Sequence, residues 1–126
     1  LKNKINLNKK YQKYQKYIKK IIDIVKEYKK RNHKVYAIGA SLMTPILDYH
    51  LNGLIKLSDN ILDDDKEKIN KYFPNIRSKI KSLKTTDLTN AVVIISATAS
   101  SITTRKLVSI VENKKSKIII VPSLSF

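Results

Sequence analysis

A chain of 126 residues is one domain's worth of polypeptide, long enough to bury a core and short for two domains of ordinary size. Its composition, 42% apolar and 29% charged, is globular, and no apolar run approaches the roughly eighteen residues that a transmembrane helix needs. There is no cysteine, which excludes disulfides, thiolate zinc sites and cysteine nucleophiles and fits a cytoplasmic setting, and two histidines, His33 and His50, do not make a metal site by themselves.

The formal net charge of +16 points first to a polyanionic partner, nucleic acid or an anionic surface. Its make-up weakens that reading: 23 of the 26 basic residues are lysine, and only Arg31, Arg77 and Arg105 offer the bidentate fork that phosphate and base readers favour. Lysine, isoleucine and asparagine together supply 52 residues, a triad that AT-rich codons produce without selection for function. The charge is also uneven, because residues 1–34 carry a net +11. The sequence starts at Leu1 with neither an initiator methionine nor a hydrophobic signal segment, so the expectation is a domain cut from a longer polypeptide.

Residues 9–31 read as one long amphipathic helix, since Tyr11, Tyr14, Ile18, Ile21, Ile22, Val25 and Tyr28 recur at spacings of three and four with lysines between them. Asn32 can take the left-handed conformation that closes it. Its apolar stripe either packs on the segment that follows or leaves a basic helix to bind a membrane or clasp a nucleic acid, and the first is the expectation, with the lysines merely wet. Residues 1–34 are therefore a lysine-rich lead-in, and residues 35–126 a second unit in which short apolar runs alternate with helical ones.

Val35-Tyr36-Ala37-Ile38 predicts a buried strand running into Gly39-Ala40-Ser41, and Leu42 to Leu51 a helix with Ser41 as its N-cap, Pro45 in its first turn and Leu42, Ile46, Leu47 and Leu51 on one side. Asn52-Gly53 ends it. Asn60-Ile61-Leu62 predicts a second strand terminating in Asp63-Asp64-Asp65, residues 66–78 a loop, and Lys79 to Leu83 a short third strand. Ala91 to Ala97 is continuously apolar up to Ser96, as a central parallel strand buried on both faces must be. Ile102 to Val111 predicts a helix and Lys117 to Val121 a last strand stopped by Pro122. This alternation predicts a three-layer α/β domain of about five mostly parallel strands in the order 3-2-1-4-5.

In such a sheet the ligand crevice lies beyond the carboxyl ends of the first and fourth strands, where strand order reverses. Two small-residue turns meet there: Gly39, Ala40 and Ser41, with Thr44 close behind, and Ser96, Thr98, Ser100 and Ser101. Their amides and hydroxyls suit a phosphate or carboxylate, and Asp63, at the end of the second strand, would meet a ribose hydroxyl. The competing reading is that Ser41 and Ser101 only cap helices and the three aspartates only solubilise a turn. The dinucleotide fingerprint is not met, because Gly39 lacks the second and third glycines, and there is no Walker loop and no nucleophile elbow. His50, beside Asp48 and Tyr49, reads as a structural partner rather than a base. No catalytic residue and no metal ligand is assigned.

The runs Val35 to Ser41, Pro45 to Leu51, Ile61 to Asp65, Val92 to Ile95 and Ile118 to Pro122 resemble, over roughly residues 15–122, the C-terminal domain of the S-adenosylmethionine-dependent C-methyltransferase family. That family joins a small zinc-binding domain and a central methyltransferase domain to a Rossmann-like C-terminal domain, and several members act on nucleotide-linked sugars. The resemblance implies a substrate-positioning domain whose partners are the methyltransferase domain of the same polypeptide and a small anionic or nucleotide-linked substrate. S-adenosylmethionine and zinc would belong to the other domains and neither to this one. The chain departs from the family where Leu42-Met43-Thr44 replaces Ala-Lys-Gly after the Gly-Ala-Ser turn, and where Ala97-Thr98 replaces Trp-Asn. The alternative reading is a basic nucleic-acid-binding module acting through the N-terminal helix; no membrane partner is expected.

Overall fold

A computed structural model describes residues 2–41, 43–96 and 101–122. Helix α1 spans Lys2–Lys30 and hands the chain to strand β1, Val35–Ile38. Helix α2 (Thr44–His50) and a single 3-10 turn at Ile55–Leu57 lead to β2, Asn60–Asp63. After a loop without regular structure come β3 (Lys79–Ser82), β4 (Val92–Ile95), helix α3 (Ser101–Asn113) and β5 (Ile118–Ile120). The strands form one five-stranded sheet in the order β3-β2-β1-β4-β5, and every pairing is parallel, with Ala37 opposite both Ile61 and Ile94. The α/β fold and strand order predicted from the alternation of segments are those observed.

Strand periodicity divides the core in two. On one face Val35, Ala37, Ile61, Ile80, Val92 and Ile94 pack with Ile18, Ile21 and Val25 of α1 and with Leu51, Leu54 and Ile55. On the other, Ile38, Leu62, Val93 and Ile95 pack with Val111 of α3 and with Leu83 and Leu88 from the segment between β3 and β4. Fully burying one such aliphatic side chain is worth about 1.5–3 kcal/mol, so the stripe of α1 shares the main core of the sheet. Its foot is also tied polar group to polar group. Lys29 donates to the Leu57 carbonyl at 2.6 Å, His33 Nδ1 donates to the Asn90 carbonyl at 2.7 Å, and Asp59 accepts from Val35 N–H at 2.8 Å.

Three local expectations are corrected. Helix α1 begins at Lys2 rather than residue 9, and of its described side chains Tyr14 is the first to reach the core; Tyr11, expected on the buried stripe, is 49% exposed. Extending a helix that is already nucleated costs little per residue, so it continues where no apolar stripe marks it. In α2 the buried face is Thr44, Leu47, Asp48 and Leu51, and Ile46 faces solvent at 50% exposure. Ser41 is not the N-cap: the helix starts at Thr44 with Met43 before it, Pro45 keeps its predicted place in the first turn, and Leu42 lies outside the described residues. Both predicted asparagine stops hold. Asn32 (φ 68°) and Asn52 (φ 53°) are left-handed, and the following residues, His33 and Gly53, donate back to the carbonyls of Tyr28 and Asp48.

Candidate functional site

The turn after β1 requires Gly39, whose φ of 110° is one that side-chain-bearing residues rarely adopt. Its N–H donates to the Leu62 carbonyl at 2.9 Å, which carries the β1–β2 ladder one step past the strand. Ala40 is then held from both sides. Its N–H donates to Asp63 Oδ2 at 2.8 Å, and its carbonyl accepts from the Lys68 ammonium at 2.5 Å. Thr44, buried in the first turn of α2, accepts from Ser41 N–H at 2.9 Å and donates to the Gly39 carbonyl at 3.4 Å. The Ser41 hydroxyl accepts from Met43 N–H at 3.2 Å and is exposed.

Across the switch point, Ser96 leaves β4 with its hydroxyl donating to the Ile38 carbonyl at 2.7 Å and its N–H donating to the same oxygen at 3.0 Å. Of the residues expected at the crevice, the structure thus joins Gly39, Ala40, Ser41, Thr44 and Asp63 in one hydrogen-bonded network, and Ser96 adjoins it through Ile38. Ser101 is the first residue of α3, while Thr98 and Ser100 lie outside the described residues.

The three aspartates organise the carboxyl end of β2. Besides Ala40, Asp63 accepts from Asp65 N–H; Asp64 accepts from Lys84 N–H; Asp65 accepts from Glu67 N–H and stands 3.8 Å from Lys68. A carboxylate accepting backbone N–H groups draws on charge-assisted hydrogen bonds, the stronger kind. Lys68 was invisible as a site residue because it lies 28 positions from Ala40 in a loop with no periodicity. In space it places a cation at the Gly39–Ser41 turn.

Two further groups matter beside the crevice. Asp48, on the inner face of α2, is almost fully buried; its Oδ1 accepts from Ile55 N–H at 2.8 Å and Lys56 N–H at 3.1 Å, and Lys56 Nζ lies 3.9 Å from Oδ2. Burial raises its pKa above the ordinary carboxylate value, and the two N–H donors and the ammonium offset that only in part. His50 ends the same helix, exposed and edge-on to the Tyr49 ring at 5.6 Å between centroids, away from the Gly39–Ser41 network.

Among the described residues no three His, Cys, Asp or Glu side chains gather as a metal-binding group, and no helix is long and apolar enough to cross a membrane. No family model matches the chain, and neither a curated protein nor a solved structure matches it.

Proposed function

We propose that this chain is the substrate-positioning domain of an S-adenosylmethionine-dependent methyltransferase and that it holds an anionic or nucleotide-linked substrate, such as a sugar nucleotide, at the β1–β4 crevice. The observation that carries the reading is the Gly39–Ser41 turn at the point where strand order reverses, braced by Asp63 and carrying the Lys68 ammonium. A braced turn keeps the Ser41 hydroxyl and the Lys68 cation where a phosphate can meet them without reorganisation, and Asp63 keeps lone pairs for a sugar hydroxyl. Positioning of this kind lowers a barrier without chemistry from the positioning residues themselves.

The chain's own residues do not fit the methyl donor or zinc. Its two glycines, Gly39 and Gly53, do not make a glycine-rich cofactor loop, it has no cysteine for a thiolate zinc site, and among the described residues no three His, Asp or Glu side chains gather. On this reading both groups belong to other domains of the same polypeptide, in the cytoplasm, and the methyl transfer takes place there. Calorimetry with nucleoside diphosphates and sugar nucleotides tests the proposal: saturable binding that weakens when Lys68 is changed to Met supports it, and no heat from any of them rejects it. An upstream zinc-ligand cluster and methyltransferase glycine motif in the same reading frame are the expected companions.

A second reading is favoured by one observation, the exposure of Lys9, Lys13, Lys16 and Lys20 along the outer side of α1. As a nucleic-acid-binding helix it would bind with affinity that falls steeply with salt and disappears when all four are changed to Gln.

A further inference from the structure

Away from the crevice, α1 and the end of α2 enclose a second cleft of about 400 Å³, within the size range of small-molecule sites. Its walls are aromatic and amide: Tyr11, Tyr14 and Gln15 from α1, Tyr49, His50 and Asn52 from α2 and its closing turn. At the rim folding leaves the Tyr49 ring 80% exposed, although burying such a ring is among the larger gains available to a protein. The polar groups contrast with those of the crevice. Neither the Gln15 nor the Asn52 carboxamide, nor the His50 ring, makes a hydrogen bond to another described residue, so their donors and acceptors face the cleft or water.

The surroundings are cationic. Lys10 stands four residues before Tyr14 and Lys19 four residues after Gln15, the spacing that makes neighbours on a helix surface, and both are exposed. A cationic ligand is disfavoured there, and a neutral apolar one leaves the amides unpaired. What fits is a planar heteroaromatic ring with hydrogen-bonding edges and an attached anion.

We propose that this cleft binds a nucleotide: the base lies against Tyr49, its edge is read by Gln15 and Asn52, and its phosphate is drawn by Lys10 and Lys19. The chemistry is shared by a free mononucleotide and by an unpaired base of a single strand, and either would be held by stacking, which is indifferent to base identity, with amide contacts adding preference.

The test is calorimetric titration of the full chain with adenosine and uridine monophosphates and with a single-stranded trinucleotide. Saturable binding is expected, weakened about tenfold or more by Tyr49→Ala and also weakened by Gln15→Leu. Both side chains are exposed, so circular dichroism of the variants should match the parent. An event that Lys68→Met weakens and Tyr49→Ala does not belongs to the crevice, so the two sites are told apart in the same titration. Tighter binding of the trinucleotide through the same residues identifies a nucleic-acid strand as the ligand, and binding of the mononucleotides alone identifies a free nucleotide. No saturable binding, or binding that Tyr49→Ala and Gln15→Leu leave intact, overturns the proposal.

Discussion

The crevice at the ends of β1 and β4 and the cleft between α1 and α2 use their polar groups in opposite ways. In the crevice Asp63, Thr44 and Ser96 all bond to the protein's own backbone, so they brace the turn. In the cleft the Gln15 and Asn52 amides bond to no described residue and the Tyr49 ring stands 80% exposed. The difference separates two costs. A residue that braces a turn is expensive to lose from the fold, whereas a residue that waits for a ligand is nearly free to lose until the ligand arrives.

The contrast can be broken by measuring stability, and the largest effect should come from the helix wall beneath the cleft. Ile18, fully buried one turn beyond Tyr14, should cost about 2–5 kcal/mol on replacement by Ala, read by urea denaturation. A small loss would mean that α1 is not part of the core. In the crevice, Asp63→Ala strands the N–H of buried Ala40 and should cost about 2 kcal/mol, and Ser96→Ala, which removes one buried hydroxyl bond, about 1 kcal/mol. At the cleft, Tyr49→Ala and Gln15→Leu should change stability by no more than about 0.5 kcal/mol. Equal costs in the two regions would erase the distinction.

Asp48, between the two regions on α2, separates charge from hydrogen bonding. Its folded pKa is raised by burial, so its ionised form is disfavoured in the native state: the contribution is best below the unfolded carboxylate pKa and is lost as pH rises through the folded value. Replacing Asp48 with Asn keeps an acceptor for Ile55 and Lys56 N–H without the charge. The variant should therefore gain on the parent between acid and neutral pH, in denaturation curves taken at both. Asp48→Ala, which leaves both N–H groups without an acceptor, should be destabilised at either pH by about 1–3 kcal/mol.

How much of this was legible in the sequence depended on whether a periodic signal accompanied the contact. Strands β1 and β4 were plain because burial on both faces demands an unbroken apolar run, and the end of α1 was plain because Asn32 tolerates the left-handed turn. The inner face of α2 departs from the hydrophobic pattern because it is partly polar: Thr44 and Asp48 occupy core-facing positions while Ile46 points outward, the reverse of what hydrophobicity alone implies. Asp63 could be placed at the crevice from its position after an apolar run, but its bond to Ala40 N–H could not. The placing of Lys68 at the turn, and of Gln15 and Tyr49 on one cleft, depends on folding distant segments together and leaves no local trace. Likewise the edge of β3 is covered by its own loop, with Asn70 N–H donating to the Ile80 carbonyl and Ile80 N–H to that of Lys71, in a stretch whose sequence reads only as polar.

The most direct test of the crevice as the substrate site is the two-dimensional amide spectrum of the chain during titration with uridine diphosphate. The largest shifts are expected at Gly39, Ala40 and Ser41, with Ser96 moving in parallel at the same ligand concentrations. Shifts confined to α1 and to residues 49–52, or none at all, would contradict the assignment of the crevice as the place where the substrate is held.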